Sequence, residues 1–167
     1  DNALERVLYY YNQVKYNKEF AGVSGNRMFT NNKTIGGNPN YSILDTDALS
    51  FRVNYKVKGD KAEIYKTSIL RGYPFPEIKE ERFCPESLIW YRIAQKYKLR
   101  YFNESIYICE YLEGGLTDTI VRLRMNSPIA SMITYAELSN YQIPFLEKIK
   151  AGINFGDFRL ILQCHFF

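Results

Sequence analysis

Acidic residues are the first candidates for chemistry in this chain. Asp45-Thr46-Asp47 puts two carboxylates one residue apart. Hard oxygen ligands of that kind can hold Mg²⁺ or Mn²⁺, although the surrounding Asn-, Pro- and Ser-rich stretch favours a solvated loop. Glu86 follows the charged run Glu80-Glu81-Arg82 and stands where the pattern starts a helix. A helix N-terminus favours the ionised form of such a residue, and an ionised carboxylate at the mouth of a cleft is what a general base requires. Glu86 reads equally as a first-turn glutamate that only stabilises its helix. Trp90 lies one helical turn further on, on the same face. It offers either a sugar-stacking platform beneath the carboxylate or an ordinary core side chain. Arg122 and Arg124 follow the Gly114-Gly115 break and can clamp a diphosphate, or simply face water.

Other chemistries are poorly supplied. The one histidine, His165, lies near the end of the chain, and any Ser-His-Asp or Cys-His arrangement would have to use it. Cys84, Cys109 and Cys164 are widely spaced and odd in number, so a disulfide framework or structural zinc site is not expected. No glycine-rich phosphate loop occurs. The run from Arg92 to Arg100 interleaves Arg92, Lys96, Lys98 and Arg100 with Tyr97, but reads as a solvated helix face running into a strand. The net charge is only +4, with Lys and Glu interleaved. A nucleic-acid partner is not expected, because such proteins concentrate basic residues on one patch.

These residues need a scaffold, and 167 residues with 46% hydrophobic and 24% charged side chains suffice for one packed domain. Leu4, Val7, Leu8, Tyr11 and Val14 recur at helical spacing, so residues 1–17 read as an amphipathic helix capped by Asp1 or Asn2. Residues 20–29 read as a strand and 31–48 as a long loop. Phe51, Val53, Tyr55 and Val57 alternate, which predicts a strand over 49–57. A turn at 58–61, a short strand over 62–65, a helical turn to Leu70 and a Pro-containing loop over 72–81 follow. Residues 85–97 read as the best helix, with Pro85 in its first turn and Ile89, Trp90, Ile93, Ala94 and Tyr97 as its apolar stripe. Two short strands, 99–102 and 106–111, are expected next, then helices over 117–125, 128–138 and 143–155, and an apolar tail. No run approaches the roughly 20 apolar residues that span a bilayer.

Three segments, in order, resemble bacterial family 2 glycosyltransferases of the capsule and polysaccharide type: residues 59–67 (Gly-Asp-Lys-Ala-Glu-Ile-Tyr-Lys-Thr), 82–94 (Arg-Phe-Cys-Pro-Glu-Ser-Leu-Ile-Trp-Tyr-Arg-Ile-Ala) and 111–117 (Tyr-Leu-Glu-Gly-Gly-Leu-Thr). The opening Asp1-Asn2-Ala3-Leu4-Glu5-Arg6-Val7 looks like the helix after that family's metal-binding Asp-x-Asp motif. The likeness covers about residues 1–142, with 143–167 as a C-terminal helical and apolar extension. It implies the acceptor-side half of a GT-A fold, a mixed α/β sheet flanked by helices. It also implies a sugar moved, with inversion, from a nucleotide-sugar donor to a glycan or lipid-linked acceptor. The family's base stands six residues before an Arg, as Glu86 does before Arg92; Pro85 takes the place of a preceding acid, and Glu the place of Asp. By the same match Asp60, Lys61 and Trp90 shape the acceptor side and Arg122 lies near the diphosphate. A divalent metal, Mn or Mg, would have its ligands before Asp1, so Asp45 and Asp47 are set aside. The implied location is the cytoplasm, at or near the inner face of a membrane. A non-catalytic carbohydrate- or protein-binding module is the other class of reading.

Overall fold

The computed structural model describes residues 2–164; Asp1, His165 and the last two residues of the apolar tail lie outside them. The chain divides into two compact units, Asp1–Tyr73 with Arg92–Glu110, and Pro74–Tyr91 with Tyr111–Phe167. Among the described residues no helix is long and apolar enough to cross a membrane.

The first unit is built on a sheet. Helix α1 (Ala3–Val14) leads into β1 (Phe20–Met28). Then come β2 (Ile43–Thr46), α2 (Ala48–Val53), β3 (Lys61–Tyr65) and a single turn of helix, α3 (Thr67–Leu70). After α4 (Glu86–Ala94), whose last residues enter this unit, β4 (Lys98–Ile108) completes it. The sheet order is β2-β4-β1-β3, with β1 parallel to β4 and the other two pairings antiparallel. The architecture is therefore α/β with a mixed, open four-stranded sheet.

Successive strand residues point to opposite faces, and the two faces differ sharply. On one, Val23 and Phe102 pack with Tyr10, Val14 and Phe20, flanked by Ile64 and Ile106. The rings of Tyr10 and Phe102 stack at 4.1 Å, so α1 covers this face. Its outer side is tied down where Arg6 grips both oxygens of Glu104 at 2.6 Å and the Tyr10 hydroxyl donates to the same carboxylate. The other face carries Ser24 and Asn26 from β1, Lys61, Glu63 and Tyr65 from β3, and Tyr101 from β4. Phe51 of α2 stacks on Tyr101 at 3.7 Å.

Three expectations fail here for local reasons. Residues 49–57 contain a helix, because Asp47 acts as its N-cap and accepts a 2.7 Å hydrogen bond from the Ser50 N–H. Part of the expected loop 31–48 is β2, an edge strand held by β4. The two expected strands 99–102 and 106–111 are one, β4, which crosses its polar Asn103-Glu104-Ser105 centre by shifting register against β1. Asp47→Ala is expected to cost about 1 kcal/mol, the usual value of such a cap, read as a lower urea midpoint at unchanged slope.

The second unit is helical. It holds the loop 74–85, the start of α4, α5 (Ile120–Met125), α6 (Pro128–Asn140) and α7 (Phe145–Cys164). The final helix runs nine residues beyond the expected end and takes in most of the apolar tail. α6 presents small buried residues, Ala130, Ser131 and Thr134, and α7 buries Ala151 and Phe158. Tyr135 and Phe158 stack at 5.9 Å across the pair.

Candidate functional site

Asp60 and Lys61 belong to the first unit. Glu86, Trp90 and Arg122 belong to the second. Each set is positioned by its own elements.

The turn before Lys61 is held at several points. Gly36 and Gly59 both have positive φ, 82° and 74°, where an L side chain is strained. Their backbones also touch: a Cβ on Gly36 would lie 2.1 Å from the Lys58 carbonyl oxygen. Arg52 donates from Nη1 to the Gly59 and Val57 carbonyls at 2.6 and 3.1 Å. Asp60 stands exposed at the end of this turn.

Lys61 does not share that exposure. It is the first residue of β3, only 1% exposed, and its chain runs along the polar face of the sheet. Its Nζ donates to Asn26 Oδ1 at 2.7 Å, and Asn26 Nδ2 donates in turn to Asn103 Oδ1 at 2.7 Å. Arg27 Nε holds the Lys61 carbonyl at 2.8 Å. Burial, and after it the positive charge of Arg52, push the ammonium down to about 8 against an upward pull from Glu63. On the same face the Tyr65 and Tyr101 hydroxyls are pushed up by burial, and Ser24 Oγ is buried without a hydrogen-bond partner among the described residues. A buried lysine on a polar strand is costly unless hydrogen-bonded, and Asn26 supplies that partner. Neither Asn26 nor Asn103 is legible as functional from residue type alone. The one available signal is that asparagine is depleted in strands, yet Asn26 sits inside a strand pattern.

In the second unit Glu86 is the first residue of α4 and exposed. Its carboxylate makes no hydrogen bond or ion pair with another described residue. Two other acids of this unit are engaged by backbone N–H groups. Glu81 accepts from the Ile129 and Ala130 N–H groups at 2.6 and 2.8 Å, capping α6, whose own N-cap residue Ser127 makes no such bond. Ser127 Oγ instead accepts from the Phe83 N–H at 3.2 Å. Asp118 accepts from the Gly114 N–H at 2.9 Å. Sequence reasoning read Glu81 as part of a charged loop and missed this role. Trp90, one turn after Glu86, is half-buried, and Leu88 and Ile89 are the buried residues beside it. Arg122 is exposed on α5, whereas Arg124 donates to the Tyr135 hydroxyl at 3.2 Å. A cavity of about 560 Å³ lies within this unit, lined by residues 76–79 and 81–84 together with Ala130 of α6.

Asp45 and Asp47 are both engaged by other groups of the chain. Asp45 is on β2 opposite Arg100, which grips both its oxygens at 2.8 and 2.6 Å. Asp47 is engaged as the cap of α2. The pair is therefore part of the secondary structure and not in a solvated loop, and no group of three or more His, Cys, Asp or Glu side chains converges among the described residues. No protein-family model, curated protein or solved structure matches the chain.

Proposed function

We propose that this chain is the acceptor-side portion of an inverting glycosyltransferase that moves a sugar from a nucleotide-sugar donor to a glycan or lipid-linked acceptor. The observation that carries the reading is the exposed carboxylate of Glu86 at the start of α4, which makes no hydrogen bond or ion pair with another described residue. Its place in the run 82–94, between the resembling segments 59–67 and 111–117, adds the family context. The mixed α/β sheet is of the class that resemblance implies.

In this reading Glu86 takes the proton from an acceptor hydroxyl. The oxygen attacks the anomeric carbon, and the bond from that carbon to the nucleoside diphosphate breaks with its electron pair on the leaving oxygen. The resemblance implies donor and metal ligands outside this chain, and Asp45 and Asp47 are engaged with Arg100 and the Ser50 N–H. The full-length protein, incubated with a panel of nucleotide sugars and Mn²⁺ but no acceptor, is expected to release nucleoside diphosphate slowly. Release from none of them removes the reading. Tight glycan binding without release would favour a non-catalytic module.

A further inference from the structure

We infer that the cavity beneath residues 76–84 holds the acceptor, and that the part it holds is a hydroxyl-rich sugar ring; this rests on the glycosyl-transfer reading above. The volume of about 560 Å³ falls within the roughly 300–1,000 Å³ of small-molecule sites. Its lining mixes two kinds of surface. Pro76, Ile78 and Phe83 offer apolar area, while Glu77, Lys79 and Arg82 bring an acceptor and two donors. A sugar ring needs both, an apolar C–H face and partners for its hydroxyls.

The wall is built and not incidental. Glu81 reaches from the loop to two N–H groups of α6, and the Phe83 N–H reaches Ser127. Glu80, just before this latch, has φ of 71°, a conformation that costs a non-glycine residue about 1 kcal/mol or more and persists only where its surroundings enforce it. Glu81 is thus a positioning residue for the cavity. Cys84, the last lining residue of the loop, stands two residues before Glu86 in the chain.

The test uses the full-length protein. Wild type is first assayed for nucleoside diphosphate release without acceptor, which reads the parent hypothesis, and then with a panel of p-nitrophenyl glycosides to find one that is accepted. Cys84→Phe, which fills the cavity, is expected to raise KM for that glycoside by roughly tenfold or more, with the larger part of the effect in KM and not in kcat. Glu81→Ala, which releases the latch, is expected to move KM the same way. Unchanged KM in folded variants overturns the assignment while leaving glycosyl transfer standing. No release by wild type removes both, and release that no glycoside of the panel stimulates overturns the sugar-ring assignment alone. Should Cys84→Phe fail to fold, Cys84 labelling by a disulfide reagent in a Cys109→Ser, Cys164→Ser background is expected to slow in the presence of the accepted glycoside; an unchanged rate overturns the proposal.

Discussion

Glu86→Gln in the full-length protein is expected to lower kcat for sugar transfer by roughly 10²–10⁴-fold, the usual contribution of a positioned general base, while nucleotide-sugar affinity stays nearly unchanged. The amide keeps the shape and one hydrogen-bond acceptor but cannot take a proton. An exposed residue at the start of a helix also has little structural weight: its substitution costs a few tenths of a kcal/mol through the helix dipole, far too little to unfold the protein. Loss of turnover with an unchanged melting temperature therefore isolates the chemical role. The matched control is Glu81→Gln. That carboxylate is bound to two backbone N–H groups, so its replacement acts on stability and on acceptor KM. Unchanged turnover in Glu86→Gln would remove it from the mechanism and return it to the bland role of a first-turn glutamate.

The contrast between Glu81 and Glu86 also marks how far residue patterns reach. α1, β1, β3 and α4 follow from periodicity and punctuation, since their apolar residues recur at the spacing their geometry needs. Where a strand is expected over 49–57, residues 48–53 form a helix, because the Asp47 cap outweighs the alternation of Phe51, Val53 and Tyr55. β2 was hidden because only four residues of an edge strand interrupt a polar stretch. In β4 the polar centre looked like a break, whereas Asn103 and Glu104 are the partners of Asn26 and Arg6 from elements far away in the chain. The site divides the same way. That Glu86 opens a helix is a local fact and was legible. That Glu81 is engaged, Asp45 paired and Lys61 buried depends on residues 48, 55 and 35 positions away, and no local pattern carries such information.

Lys61 gives the second large effect, and its sign can be worked out. The ammonium sits near 8 in the folded protein against 10.5 unfolded. Below about pH 8 both states carry the proton, and the folded state bears the full cost of a buried charge. As pH rises from about 8 to 10 the folded state releases its proton first, the unfolded state binds more protons, and stability therefore rises. The gap corresponds to at most about 3 kcal/mol across the window. Above about pH 10 the trend reverses, because Tyr65 and Tyr101, held protonated by burial, ionise first in the unfolded chain. Lys61→Met keeps the buried stem and removes the charge, but leaves Asn26 Oδ1 without its donor. That loss costs about 1–3 kcal/mol, close to the charge penalty it relieves. The variant is thus expected to match wild type near pH 7, to fall below it near pH 9.5, and to lose the rise between them. Urea melts at a series of pH values check this. A rise that survives in Lys61→Met would assign the titration to another group. Lys61→Ala, which also empties the space of the stem, is expected to be less stable than Lys61→Met by about 2–4 kcal/mol at either pH.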